Sequence, residues 1–162
     1  MKAVLFFTLF FSFSLFAKEP AIKITVPITA SSFQIKGKKV YGSVKKSGDT
    51  LTGKEIYVKV KHLKSGMDLR DEHMKNSDRL DAKKYKKIYV RDIKGNNGSG
   101  TASIEVKGKK KKIKFKYDID GKVMVAKFNL KTKAFGLKKM SYLGVGVKEE
   151  DGLDIVARVP IK

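Results

Sequence analysis

The stretch 112–130 leaves this chain the least freedom. Ile113, Phe115, Tyr117 and Ile119 alternate with Lys112, Lys114, Lys116 and Asp118. Asp120-Gly121 follows, and then Met124, Ala126, Phe128 and Leu130 alternate with Val125, Lys127 and Asn129. An extended strand turns successive side chains to opposite faces, so each half predicts a strand with one buried and one wetted face. Asp-Gly tolerates the positive φ angles of a two-residue turn, so the two strands are predicted to pair as a hairpin. A slip of one residue would bury the lysines and expose the aromatics, which pins the faces. A lone hairpin is marginal in water, so more sheet must cover its apolar side.

The rest of the chain supplies that sheet. Ile22, Ile24, Val26 and Ile28 alternate with Lys23, Thr25 and Pro27, and Pro27, lacking an N–H, predicts a strand end or edge. Phe33 and Ile35 predict a short strand broken at Gly37, and residues 40–46 predict another before the turn Ser47-Gly48-Asp49. Ile56, Val58, Val60 and His62 alternate with Tyr57, Lys59 and Lys61, predicting one long strand. Ile88, Val90 and Asp92 are expected on one face of the next, with Tyr89, Arg91 and Ile93 on the other. The Gly/Asn-rich run 95–100 reads as a turn before Ala102, Ile104 and Val106. Leu153, Ile155, Ala157, Val159 and Ile161 close the chain. This makes eight strands and a short ninth, mostly joined as hairpins. No strand alternates regularly with a helix, which excludes a parallel βαβ plan. The expected class is all-β, and a meander of this kind either stacks as a sandwich or closes as a barrel.

Residues 1–17 read as a secretory signal peptide. Lys2 is followed by an apolar, aromatic run that ends at Ala17, short of the roughly 20 residues a membrane span needs. Residues 18–162 then form one domain, expected in the periplasm. The 162 residues carry 37 Lys and Arg against 16 Asp and Glu, a formal charge of +21. Cleavage removes Lys2 alone among the charged residues and leaves +20. Only Arg70, Arg79, Arg91 and Arg158 are arginine. Nucleic-acid readers favour the bidentate arginine fork, so a lysine field on an exported protein points to anionic lipid surfaces and not to nucleic acid. There is no Cys, hence no disulfide and no thiol nucleophile. His62 and His73 show no zinc-ligand spacing, so neither a metal nor a cofactor is expected.

The alternation breaks at 64–74. Ser65, Gly66 and Asp68 are turn and cap residues, and Asp71 and Glu72 are acids suited to the positive end of a helix. A helix of about two turns is predicted, with Asp68 as its N-cap. Leu69 and His73, four apart, are expected on its buried face, and Asp71 is placed to pair with Lys75. The acids Asp68, Asp71, Glu72, Asp78 and Asp81 read as caps and pair partners. No Ser or Cys nucleophile has matching context, so an enzyme is not expected.

The same stretch carries a resemblance. Gly66-Met67-Asp68-Leu69-Arg70-Asp71-Glu72-His73-Met74, then Leu80-Asp81 and Tyr85, resembles the helix motif of the YceI-like family of bacterial periplasmic lipid-binding proteins. Phe135-Gly136-Leu137 and Tyr142-Leu143-Gly144-Val145 are similar to that family's Phe-Gly-Ile segment and its continuation. The likeness spans the chain after Lys18. Lys86 stands where the family usually has Pro, and residues 95–112 are compact and lysine-rich. The resemblance implies a lipocalin-like antiparallel barrel of about eight strands, with the short helix Asp68, Leu69, Arg70, Asp71 and His73 inserted between strands. It further implies non-catalytic binding of a long-chain lipid, polyisoprenoid or fatty-amide in type, inside the barrel.

Alternation nominates the cavity wall: Ile56, Val58, Val60, Ile104, Val106, Phe115, Tyr117, Met124, Phe128 and Ile155. The competing expectation is a filled barrel that adheres through its lysines, above all Lys109-Lys110-Lys111-Lys112, to an anionic membrane surface or an acidic partner. Both readings are compatible with a homodimer.

Overall fold

The computed structural model describes residues 19–29, 31–137, 141–142, 145–146 and 152–162, with 141–142 and 145–146 as backbone only. The expected signal peptide, and Leu143 and Gly144 of the second motif, lie outside the described residues. Among the described residues there are twelve strands: β1 (Ile22–Ile28), β2 (Ser31–Gly37), β3 (Lys45–Ser47), β4 (Thr50–Lys59), β5 (Leu63–Lys64), β6 (Lys87–Asn96), β7 (Ser99–Val106), β8 (Lys109–Asp120), β9 (Val123–Leu130), β10 (Ser141–Tyr142), β11 (Val145–Gly146) and β12 (Leu153–Pro160). The helix α1 (Asp68–Lys75) stands between β5 and β6.

Ten strands form one antiparallel sheet in the order β3-β4-β6-β7-β8-β9-β12-β1-β2-β5, and β10 and β11 pair separately. The two ends of that order belong to one stretch of chain. Residues 50–64 pair with β6 through β4 and with β2 through β5. Between them lies a 3-10 turn, Val60–His62, where the Val60 N–H donates to the Lys86 carbonyl at 3.0 Å. Near the other end, the Val44 N–H donates to the Pro160 carbonyl at 3.0 Å and the Lys162 N–H to the Val44 carbonyl at 2.9 Å. These contacts draw the two ends of the sheet order together, in the manner of a lipocalin-like barrel.

Four local expectations are corrected. Residues 56–62 are not one strand: the 3-10 turn at Val60 bends the chain from one neighbour to the other, which a straight strand could not do. Residues 40–46 form isolated bridges at Tyr41 and Val44 before β3, because this segment spans a gap and follows no single partner. In β6 a bulge shifts the register between Arg91 and Lys94, with Asp92 at φ 54°. The extra residue reverses the phase, so Asp92 is exposed and Ile93 buried at 2%. The β8–β9 turn is Gly121-Lys122, because Asp120 still pairs with Val123. With these breaks the main sheet has ten strands where about eight were expected.

The hairpin faces fall as the alternation required except at the turn end, where Ile119 is exposed. Phe115, Tyr117, Met124 and Ala126 are buried, and Lys112, Lys114 and Lys116 are exposed. One end of the interior is packed solid by Val44, Leu51, Ala102 and Tyr117, with Leu51 and Val44 wholly buried. Two inward aromatics fit there because glycines make room. A Cβ on Gly100 would come within 2.4 Å of the Phe115 ring, and one on Gly95 within 2.9 Å of Tyr117.

Candidate binding cavity

The rest of the interior encloses a cavity. Two further apolar groups stand there, Val26, Ile35, Leu63 and Met74 on one side and Ile104, Val106, Leu130, Phe135 and Ile155 on the other. Between them and the packed end lies a cavity of about 140 Å³. Its wall is hydrocarbon from strands on every side, including Ile24, Ile35, Ile88, Val90, Ile113 and Leu153.

Segments outside the sheet complete it. α1 contributes Met74, the loop after it contributes Arg79 and Leu80, and Thr132 and Leu137 come from the 3-10 turn Thr132–Phe135 and the residues after it. That turn stops at Gly136, whose left-handed φ of 65° ends it, while Phe135 is buried at 1%. The loop 76–86 is tied down at both ends. The Leu80 N–H donates to the Met74 carbonyl at 3.2 Å and the Ala82 N–H to that of Lys75 at 3.0 Å. The Lys107 ammonium at the β7–β8 turn donates to the Ser77 carbonyl at 2.7 Å.

The helix is anchored differently from expectation. Met67 is the N-cap residue and makes no side-chain cap, while Asp68 is already helical and exposed. Leu69 is 47% exposed and His73 is exposed, and the buried residues are Asp71 and Met74. Asp71, 4% exposed, accepts the Ser65 N–H at 2.6 Å and meets the Lys64 ammonium at 3.3 Å. Its ion-pair partner is therefore Lys64, in β5, where Lys75 was expected. Burial pushes the Asp71 carboxyl up, but donation from Ser65 and the charges of Lys64 and Lys75 outweigh it and hold it below the ordinary range. A carboxylate that accepts a backbone N–H ahead of the helix pins the first turn better than an apolar contact, so the helix turns Asp71 and Met74 inward and leaves Leu69 out. Arg70 lies over the Phe33 ring of β2, its guanidinium carbon 4.0 Å from the centroid.

Of the nominated wall residues, the structure places Ile56, Val58, Ile104, Val106, Phe115, Met124, Phe128 and Ile155 on the cavity. Val60 is buried in the 3-10 turn and does not line it. Tyr117 belongs to the packed end, its hydroxyl directed to the Asp49 carbonyl at 3.5 Å. The wall residues missed by the sequence reading include Met74, Arg79, Leu80 and Leu137. All four lie where no period of two exists, and the only signal for Leu80 was its place in the motif.

A row of tyrosines crosses three neighbouring segments, with Tyr57 also touching the cavity. Tyr41 and Tyr57 stack with centroids 4.8 Å apart, and Tyr89 lies 5.9 Å from Tyr57. Arg91 covers Tyr89 and donates to Glu55 at 2.7 Å and Glu105 at 2.6 Å. Among the described residues no group of three or more His, Cys, Asp or Glu is placed to hold a metal.

A model of the YceI-like domain family matches residues 17–159. Among solved structures, BcnA of Burkholderia cenocepacia is similar with a TM-score of 0.66 and 15% identity, over 85% of this chain and 94% of that one. The YceI protein of Campylobacter jejuni gives 0.58 and 15%, over 83% and 88%. A polyisoprenoid-binding domain from Saccharophagus degradans, implicated in plant cell wall breakdown, gives 0.57 and 9%, over 86% and 92%. Identities this low speak for the fold. No curated protein matches in sequence.

Proposed function

The chain belongs to the YceI-like domain family, and from that premise we propose that it binds a long-chain amphiphile, polyisoprenoid or fatty-amide in type, inside the barrel without catalysis. One observation carries the reading: the barrel interior holds a cavity of about 140 Å³ walled almost entirely by hydrocarbon, beside a group at Val44, Leu51, Ala102 and Tyr117 that packs without lining it. An apolar cavity near 150 Å³ stays dry and takes an apolar guest. A tail entering such a space displaces no ordered water and gains about 0.8 kcal/mol per buried CH₂. The 140 Å³ cavity suits one segment of such a tail, and the rest would lie among the roofing segments. Among the described residues the polar members of the wall are Tyr57, Arg79 and Thr132. The polyisoprenoid-binding domain with the same fold supports the ligand class. We further propose export through the signal peptide at 1–17 to the periplasm, which N-terminal sequencing of envelope-derived protein checks. A start near Lys18 fits, and an intact Met1 contradicts it.

A second reading has its own observation. Lys112, Lys114 and Lys116 point outward from β8, opposite the uncharged Ser103, Thr101 and Ser99 of β7. Such a stripe would hold the protein on an anionic membrane, with each Lys near the surface worth about 1 kcal/mol. Organic extraction of gently purified protein followed by mass spectrometry decides between them. Stoichiometric amphiphile is expected. Its absence, with no uptake of long isoprenoids or fatty amides, would leave surface adhesion as the function.

A further inference from the structure

Among the described residues the cavity wall contains one charge: of the side chains that line the space, Arg79 alone is ionised, set in the loop after α1. It is half-buried. Every other arginine of the chain is engaged: Arg70 over Phe33, Arg91 with Glu55 and Glu105, Arg158 with Glu19 and Asp120. Among the described residues, no carboxylate or carbonyl takes the Arg79 guanidinium. Its backbone is fixed, since its N–H donates to the Asn76 carbonyl at 3.1 Å and the next residue, Leu80, packs into the apolar interior. Thr132, a hydroxyl from the other roofing segment, lines the same cavity.

Arg79 is half-buried beside an apolar space, and a guanidinium there without a carboxylate or carbonyl partner among the described residues is costly unless an anion meets it. Lysine is used almost everywhere else on this chain, and arginine differs by its planar fork of donors, which matches carboxylate and phosphate oxygens in pairs. We propose that Arg79, aided by the Thr132 hydroxyl, receives the anionic oxyacid head group of the amphiphile whose tail fills the cavity. This rests on the lipid-binding reading above and narrows it, setting aside its fatty-amide branch: the cargo is a carboxylate- or phosphate-headed amphiphile, and neutral alcohols and amides are weaker ligands.

The test uses four probes with one tail, all kept below their micelle-forming concentrations: dodecanol, dodecanamide, dodecanoate and dodecyl phosphate. Affinities are measured by calorimetry on wild-type protein, Arg79→Gln, Arg79→Lys, Thr132→Val and the double variant Lys114→Gln/Lys116→Gln. In the wild type the two anions should bind about tenfold or more tighter than the alcohol and the amide, as a hydrogen-bonded charge implies. The tighter anion identifies the head-group source. Arg79→Gln should collapse the anion-to-alcohol ratio towards one, Arg79→Lys should restore part of it, and Thr132→Val should reduce it. The lysine double variant should leave the ratio as it was, because surface charge acts on the anions only from a distance and is screened by salt. Equal binding of alcohol and anions by the wild type, or a ratio that survives Arg79→Gln, overturns the head-group assignment while the tail-binding reading stands. Failure of all four probes to bind overturns both.

Discussion

Two parts of the barrel interior are built from the same strands, yet one is packed and the other encloses a cavity. Away from the cavity Tyr117 lies over Gly95 and packs with Leu51, Val44 and Ala102, while Phe115, over Gly100, stands at the boundary and also lines the cavity. Glycines opposite large rings let side chains meet across the barrel. Elsewhere the inward positions include branched aliphatics of middle size, such as Ile24, Ile88, Val90 and Leu153, which line the cavity. Non-strand segments, α1 with its loop and the 3-10 turn before Gly136, roof it. Alternation sets which side chains point inward, while size and glycine placement decide whether the interior closes. Stability should therefore come mainly from the packed part and binding from the cavity.

The comparison is strained most by removing a packed side chain. Leu51→Ala, at a fully buried position, should cost about 2–5 kcal/mol, measured by denaturant unfolding, with amphiphile binding retained under native conditions. A matched pair comes next. Ala102 and Ala126 are both 5% exposed, but only Ala126 faces the cavity. Ala102→Leu overpacks and should cost about 1–3 kcal/mol. Ala126→Leu has space to enter and should cost clearly less in the same unfolding experiment, while reducing ligand uptake. Equal costs at the two alanines would dissolve the distinction between the two parts.

The roof has its own anchor. Asp71→Asn should lose about 1–3 kcal/mol, since a buried acceptor of a backbone N–H is weakened and the ion pair with Lys64 is lost. The folded state holds the Asp71 carboxyl below its unfolded value of about 3.9. Its contribution is thus complete above that pH and declines as acid titrates the folded carboxylate. Unfolding free energies measured between neutral pH and strong acid should converge for wild type and Asp71→Asn at the acid end. The smallest effect is expected at Leu69. Exposed on α1, it should tolerate Ala within about 0.5 kcal/mol, and a larger loss in thermal unfolding would mean that this face is covered.

These contrasts also mark what could be read in the sequence. Strand faces were legible because the pattern of two is local, and so were eight of the nominated wall residues. Val60 and Tyr117 obeyed the same pattern but lie elsewhere, one in a turn that bends the chain and one at the filled end. Whether an inward side chain meets another depends on residues distant in sequence. The bulge at Asp92 reversed a strand's phase, and no residue there announces it. For α1, helical spacing suggested Leu69 and His73, but a buried carboxylate outcompetes an apolar contact when a backbone donor waits for it. Arg79 and Leu80 sit in an aperiodic loop, where position in the cavity comes only from the fold. The tyrosine row at Tyr41, Tyr57 and Tyr89 likewise needed the register between segments.

The central claim, that the cavity is a ligand site and the packed part is not, meets its most direct test in native mass spectrometry. Wild-type protein, Ala102→Leu and Ala126→Leu are each mixed with a long-chain isoprenoid and the bound fraction is read from intact complexes. The account predicts one ligand per chain for wild type and Ala102→Leu, and a strong loss for Ala126→Leu. A wild type that takes no ligand, or an Ala126→Leu variant that takes as much as wild type, would contradict it.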